Sequence, residues 1–334
     1  MDTFVDIVLL AFLAICAISI LTLRDLFAMA MMFGLFSLIT AGLFTTMDAP
    51  DVAFTEAAVG AGISTILILT TLAQTARREA PRPRHNALLP MVVVWITGAV
   101  LIYGTADLPA FGDPDAPAHN HVAPHYLQES PAEIGIPNAV AAVLASYRGF
   151  DTWGEVLVVF AAVVGVIALI GLRRRPPGVT AGPVAMEQHD VLRVIAKLVV
   201  PVILLFGLYV QFHGEYSPGG GFQAGVIFAA AIILYALVFD LDAARKVIPP
   251  GWLNRLPAIG ALIFGGVGLV TMLLGGDFLD YDYLREDPRA AQQLGILLVE
   301  IGVGVTVASS MLVFYFTFAE RGRGRRTGNG ETGA

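Results

Sequence analysis

The chain has 334 residues, of which 56% are hydrophobic and only 14% are charged, and its mean hydropathy is +0.74. No soluble domain of this length needs so much apolar surface, so the composition excludes a water-soluble globular protein. The net charge of -7 argues against nucleic acid as a partner, and the lone cysteine, Cys16, excludes an internal disulfide.

Nine apolar segments follow one another along the chain, and most are about 20 residues long, enough to cross a hydrocarbon core of about 30 Å as a helix. They are residues 3–22, 27–46, 52–73, 87–104, 153–172, 191–212, 222–240, 257–275 and 291–318. As an alternative, the first and fifth segments are split or re-entrant rather than continuous spans. The pattern predicts an all-α, polytopic membrane helical bundle with about nine transmembrane helices.

The basic residues predict the orientation of this bundle. Of the 20 lysines and arginines, only Arg148, Arg285 and Arg289 fall on the side that holds the N-terminus. The other side carries Arg24, Arg77, Arg78, Arg82, Arg84, Arg173, Arg174, Arg175, Arg193, Lys197, Arg245, Lys246, Arg255 and the arginines of 321–326. Because positive loops stay in the cytoplasm, we expect the N-terminus outside and the C-terminus inside. The start of the chain has no basic n-region, so we interpret the first apolar run as a span rather than a signal peptide.

Composition divides the chain into three blocks and a tail. Residues 1–80 hold three predicted helices, and 86–175 hold two helices with a long outer loop, 105–137. A connector rich in Arg and Pro, 173–178, precedes a four-helix block at 186–320. We expect the basic tail, 321–334, to be disordered.

Glu300 is the clearest ionisable residue inside an apolar segment, and such residues are costly in a membrane. Helical rise places it close to the bilayer midplane, and Gly304 and Ala308 follow on the same face. We favour a role in passing a proton or binding a cation. The alternative is a neutral glutamate that hydrogen-bonds two helices together.

Other charged residues are weaker candidates for an ion path. Lys197 would be a proton relay or a lysine whose ammonium reaches the interface. Glu56 precedes Gly60 and Ser64 on one predicted helical face, which suits tight packing or a hydrated path.

Asp151 and Glu155 lie four residues apart at the outer end of the fifth segment and therefore on one helical face. Their charges repel unless a proton, a cation or Arg148 intervenes. Alternatively, Asp151 caps the helix. Asp51 is more simply explained as a negative charge at a helix start, which the helix dipole favours. Glu155 is deeper and is the better candidate for an ion site.

The turn between the sixth and seventh segments, residues 213–225, reads HGEYSPGGGFQAG. Three glycines after a proline allow backbone geometries closed to other residues and can expose amides at a helix start. Either an ion-facing or docking turn or a plain tight turn fits this composition. The motif residues are Gly214, Glu215, Pro218, Gly219, Gly220 and Gly221.

The outer loop carries His119, His121 and His125, which we interpret as a surface cluster rather than a metal site. The sequence shows no nucleophile–base pair and no cofactor fingerprint. We therefore expect no enzymatic activity and neither a cofactor nor a metal site.

These motifs resemble a known family. The 213–225 turn, with its four surrounding helices, resembles the MnhB/MrpB component of Mrp-type multisubunit cation/proton antiporters, which has a Gly-x-x-x-Pro-Gly-Gly-Gly-Phe turn. Residues 49–60, APDVAFTEAAVG, resemble the MbhD-like segment, and 147–155, YRGFDTWGE, resemble the MbhE-like segment. Both normally form the C-terminal part of the large MrpA protein or stand alone in membrane-bound hydrogenases.

The resemblance implies a helical bundle within a hetero-oligomer of a bacterial or archaeal cell (inner) membrane, with other hydrophobic Mrp-type subunits, lipid, and Na+ or K+ and H+ as partners. It implies that Glu56 and Glu155 match acidic residues of the family motifs. Two departures matter: family members often have His where Glu215 stands, and the long antiporter-like part of MrpA is missing. The chain is therefore not expected to be a complete antiporter.

Three hypotheses follow. The chain is an antiporter subunit that contributes to an ion path, or the ion-translocating module of a membrane-bound hydrogenase or complex I-like oxidoreductase, or a scaffold that does not conduct. The sequence does not name the coupling ion.

Overall fold

The structure is a computed structural model that describes residues 2–80, 88–110, 112–171 and 190–328. Within these residues it contains nine helices long and apolar enough to span a membrane, so the predicted all-α polytopic bundle is confirmed. Each begins and ends within a few residues of its predicted segment, apart from the last. The connector at 173–178 and the arginines Arg82 and Arg84 lie outside the described residues.

The first two spans form a helical hairpin, α1 (Asp2–Thr22) and α2 (Leu26–Thr46). Asp25 caps α2 by accepting hydrogen bonds from the amides of Phe27 and Ala28 at 3.0 and 3.1 Å. Its carboxylate also lies 2.9 Å from Nε of Arg77, beyond the third span. The Ala28 amide and the Arg77 guanidinium hold the pKa of Asp25 below its usual value.

The third span is the interrupted one, whereas the first and fifth are continuous. It begins as α3 (Pro50–Glu56), widens into a π-helix (Ala57–Ser64) and returns to an α-helix, α4 (Thr65–Leu72). A π-helix bonds i to i+5 and therefore holds an extra residue per turn, a feature frequent at functional sites. Residues four apart are therefore not aligned here as they are in an α-helix, but the Glu56 carboxylate still lies beside Gly60, as predicted.

The fourth span, α5 (Leu88–Gly104), has no buried residue. Short helical turns then fill the long loop: a 3-10 turn (Thr105–Asp107), α6 (Pro117–Asn120), α7 (Val122–Pro124), a π-turn (His125–Glu129), α8 (Ser130–Glu133), α9 (Ala139–Ala142) and a second π-turn (Val143–Tyr147). The fifth span, α10 (Gly149–Ile170), follows.

The remaining helices hold most of the core. They are α11 (Asp190–His213), α12 (Gly221–Phe239), α13 (Leu241–Val247), α14 (Pro250–Leu253), α15 (Leu256–Leu273) and α16 (Pro288–Gly328). Ile233 of α12, Phe264 of α15 and Ile296 of α16 are fully buried in it. Following the predicted orientation, we call the end with loops 47–49, 105–148, 214–220 and 274–287 the outer end.

Glycines allow the core helices to pack backbone against backbone. A Cβ on Gly221 of α12 would overlap the carbonyl oxygen of Glu300 on α16, and one on Gly225 would lie 2.8 Å from the carbonyl oxygen of Gly304. A Cβ on Gly260 of α15 would lie 2.6 Å from the carbonyl oxygen of Gly302. The predicted close approach of a helix to the Gly304 face therefore occurs.

The last helix is longer than predicted. Its backbone is helical to Gly328, and 329–334 lie outside the described residues, so the disorder of the tail stays a prediction.

Candidate functional site

The glycine turn between α11 and α12 is a tight loop in which only one residue has an unusual backbone conformation. Gly220 has φ of 106°, and its amide donates a hydrogen bond to the carbonyl oxygen of Val210 at 3.0 Å. A Cβ on Gly214 would lie 2.6 Å from the nitrogen of Gly220, and one on Gly219 would lie 2.8 Å from the carbonyl oxygen of Val210. Positive φ and close backbone approach thus explain the glycines.

The carboxylate of Glu300 lies directly against this turn. Its Oε1 is 2.9 Å from the place that a Cβ on Gly220 would take, and Oε1 of Gln223 is 3.8 Å from the same place. Glu300 is only 9% exposed. Two side-chain oxygens therefore flank a small space that exists because residue 220 has no side chain.

Glu300 lies level with the start of α12, at Gly220 and Gly221. The first turns of α16 are surrounded by the outer loops: Gln292 donates to Asp282 at 2.8 Å and Gln293 donates to the carbonyl of Gly135 at 3.1 Å. Because these turns extend past the start of α12, Glu300 meets the glycine turn.

Two further acids act electrostatically on Glu300. One is Glu215 on the turn, and the other is Asp51 in the first turn of α3. Glu215 is half-buried, and burial raises its pKa above the usual value. Among the described residues, no lysine or arginine lies within ion-pair distance of Glu300. The site is therefore negative without a nearby basic side chain in the described part of the chain.

Asn138 joins the long outer loop to this site. Its Nδ2 donates to the carbonyls of Gly214 at 2.9 Å and Ser217 at 3.2 Å, and to Oδ1 of Asp51 at 3.4 Å. Its backbone amide donates to the carbonyl of Glu215 at 3.1 Å. All three predicted blocks therefore meet at one junction.

Two glutamines complete the polar surroundings. Nε2 of Gln223 donates to Oγ1 of Thr55 at 2.8 Å, which links α12 to α3. Gln211 is 7% exposed and lies against Gly304, one turn beyond Glu300 on the same helix face. Its Nε2 has no hydrogen-bond acceptor among the described residues, so this amide is free to donate a hydrogen bond to a water molecule.

Sequence reasoning missed Asn138, Gln211, Gln223 and Thr55. The available signal was that two glutamines stand at the ends of apolar segments on either side of the glycine turn. Uncharged amides cost less in a membrane than carboxylates do, so an amide in an apolar segment is a weaker indication of a functional site.

Glu56 forms a separate polar spot. Its Oε1 and Oγ of Ser37 both lie 2.6 Å from the place that a Cβ on Gly60 would take. Ser37 is buried in α2, and Glu56 is the last residue before the π-helix. The structure thus positions Glu56 between two helices at an irregular turn.

The structure does not bring the other candidates to Glu300. Asp151 and Glu155 are exposed on α10, with Arg148 Nε 2.6 Å from Oδ2 of Asp151, so the predicted neutralising arginine is present. Lys197 is exposed on the outward face of α11.

The loop histidines form no metal cluster among the described residues. His125 instead packs against Tyr126 and Tyr147, and its Nε2 lies 3.6 Å from Glu133. Burial and the hydrogen bond to Glu133 raise the pKa of Tyr147.

Three family models match successive parts of the chain. Residues 11–77 match the MbhD component of MBH, residues 97–189 match the MbhE component of MBH, and residues 191–313 match the domain related to the MnhB subunit of Na+/H+ antiporters.

Among curated proteins, the chain is 37% identical over 137 residues to antiporter subunit mnhB2 of Staphylococcus epidermidis, and 38% identical over 137 residues to that of Staphylococcus aureus. Each match covers 38% of this chain and 96% of the relative.

Two solved structures share the fold. A chain of the Mrp complex from Dietzia sp. DQ12-45-1b matches with a TM-score of 0.75 at 24% identity, over 93% of this chain and 34% of that one. This chain thus spans about a third of its length. A chain of the archaeal membrane-bound sulfane sulfur reductase (MBS) matches with a TM-score of 0.53 at 29% identity, over 69% of this chain and 96% of that one.

Proposed function

The chain belongs to the family of antiporter subunits related to MnhB, and from this we propose that it is a membrane subunit of a multisubunit monovalent cation (Na+ or K+)/proton antiporter. It supplies part of the ion path and works with other hydrophobic subunits. The observation that carries the proposal is the buried carboxylate of Glu300 held against the turn that marks the family.

Purification tests this proposal. In mild detergent we expect the chain to bring several other hydrophobic subunits with it. In membrane vesicles, that complex should exchange sodium or potassium for protons, measured as collapse of an imposed pH gradient. If the isolated chain alone exchanged ions in liposomes, the subunit role would be refuted.

We further propose the cellular setting. The seventeen-to-three distribution of basic residues supports an N-terminus outside and a C-terminus in the cytoplasm of a bacterial or archaeal cell membrane. The three blocks, 1–80, 86–175 and 186–320, correspond to MbhD-like, MbhE-like and MnhB-like segments of one fused subunit.

A second candidate is the same module in a redox-driven complex. Its support is the fold shared with the sulfane sulfur reductase and the two MBH models. Co-purifying iron–sulfur or nickel proteins would favour this version over the antiporter. We rank it second because the curated relatives are antiporter subunits.

A scaffold without conduction is the remaining possibility. Single substitutions Glu56→Gln, Glu155→Gln and Glu300→Gln separate it from an ion path. Normal assembly with lost transport supports conduction, and unchanged transport in all three variants supports a scaffold.

A further inference from the structure

Glu300 combines burial with the lack of a compensating base. Its carboxylate meets Gly220 and Gln223, and among the described residues neither a hydrogen-bond donor nor a basic side chain reaches it. An isolated buried charge is costly, so the group either carries a proton or holds a counter-ion in this place.

We propose that Glu300 is a proton-exchange residue that trades its proton with the outer face through Glu215. This inference rests on the proposed function and names the ion that uses this part of the path. The O–H bond of the Glu300 carboxylic acid breaks and an O–H bond forms on the Glu215 carboxylate, directly or across water. The total charge of the pair is unchanged, and Glu215 then releases the proton to bulk water.

Opposing influences act on the charge of Glu300. The carboxylate lies beside the first turn of α12, where the helix dipole stabilises negative charge. Glu215 on the turn and Asp51 on α3 are the charged groups facing it, and both oppose a further negative charge. The uncharged Gln223 of α12 lies beside it at Gly220, and the uncharged Gln211 of α11 lies one turn further along α16, against Gly304. Neither the charged nor the neutral form is therefore favoured by all of its neighbours.

Glu215 has the position that a relay requires. It is half-buried on the turn that covers Glu300, and Asn138 fixes its backbone through the 3.1 Å bond to its carbonyl. Burial raises the pKa of Glu215 above 4.5, so it holds a proton more readily than a fully exposed glutamate does. Because Glu215 is only half-buried, its proton can return to water on the outer side.

The geometry favours a proton over a dehydrated metal cation. A proton needs a single base, whereas a dehydrated alkali cation needs several oxygens in place of its water. No group of three or more acidic, histidine or cysteine side chains converges on one point in the described residues. The acidic side chains of the described residues therefore do not by themselves form a cage for a dehydrated cation.

The test uses the complex purified with its partner subunits. We expect E300Q to lower cation/proton exchange at least tenfold with normal assembly, and E300D to retain a slower rate with a shifted pH profile. E215Q should slow exchange several-fold. The control is E286Q, which removes an exposed carboxylate from the same outer end and should exchange at the parental rate.

Infrared difference spectra between acidic and alkaline buffer give a second readout. We expect a carboxylic acid C=O band that is lost in E300Q and kept in E286Q. Parental exchange and an unchanged pH profile in E300Q would overturn the inference, as would a Glu300 band that responds to sodium at constant pH and not to pH. If E300Q did not assemble, a shifted pH profile in E300D would support the inference and the parental profile would overturn it.

These outcomes distinguish this inference from the proposed function. A parental complex that exchanges no monovalent cation for protons refutes the antiporter role. A parental complex that exchanges normally, with an indifferent E300Q, refutes only the role of Glu300.

Discussion

Glu300 and Glu155 are both carboxylates within apolar helices, yet their surroundings differ. Glu300 is enclosed by the glycine turn, whereas Glu155 points outward from α10. A carboxylate facing lipid is costly, so the Glu155 face requires cover by another polar group of the assembled complex. The two residues therefore serve different surfaces of the molecule.

Gly221 shows how strongly one missing side chain constrains the core. We expect G221A to lower the free energy of unfolding by at least about 3 kcal/mol, the upper end of the usual cost of overpacking, because its Cβ would overlap the backbone of α16. The measurement is thermal unfolding of the chain in detergent. The matched control is G266A, since nothing lies within 4 Å of a Cβ there. Equal stability of the two variants would contradict the close contact.

Glu215 makes stability depend on pH. Burial raises its pKa in the folded chain above 4.5, so its contribution to stability is complete below that pH and is lost as pH rises through the folded pKa. We expect E215Q to be more stable than the parent in alkaline buffer and equal to it well below pH 4.5. Thermal unfolding across pH measures this, and a difference that grows toward acid pH would show that the sign is wrong.

At the scale of elements, the short helix α9 starts at the junction of the three blocks. Oδ1 of Asn138 accepts hydrogen bonds from the amides of Val140 at 2.9 Å and Ala141 at 3.3 Å, which caps the helix. The same side chain donates to the glycine turn through Nδ2. One residue therefore fixes both the start of a helix and the position of a loop from another block.

We expect N138A to cost about 2 kcal/mol, roughly 1 for the lost cap and roughly 1 for the unpaired carbonyl of Gly214. Limited proteolysis of the outer loop should become faster. N120A, at the exposed end of α6, is the control and should behave as the parent does. If both variants resisted protease equally, Asn138 would not hold the junction.

The span positions could be predicted from sequence because the length of an apolar run is a local property. The irregular third span could not, since a π-helix depends on how α2 and α12 pack against it rather than on composition. Glu300 was found because a buried carboxylate is costly, and the glycine turn was found by its motif. Their contact joins residues 80 positions apart, and no local pattern predicts it.

At the scale of the whole molecule, the orientation of the bundle remains a prediction. In a background with Cys16→Ala, we expect Glu286→Cys to react with a membrane-impermeant maleimide in intact cells. Lys246→Cys should react only after permeabilisation, because α13 lies at the opposite end. Both positions are exposed in the chain. The reverse labelling pattern would invert the proposed topology.

The meeting of three segments at Asn138 has a consequence for how such machines are assembled. In the staphylococcal relatives, the last of these segments makes up nearly the whole protein. On one continuous chain, its docking becomes an intramolecular event at an effective concentration in the millimolar range. A few hydrogen bonds then suffice to hold a joint that separate polypeptides would need a larger interface to maintain, and equal numbers of the three parts are guaranteed by synthesis.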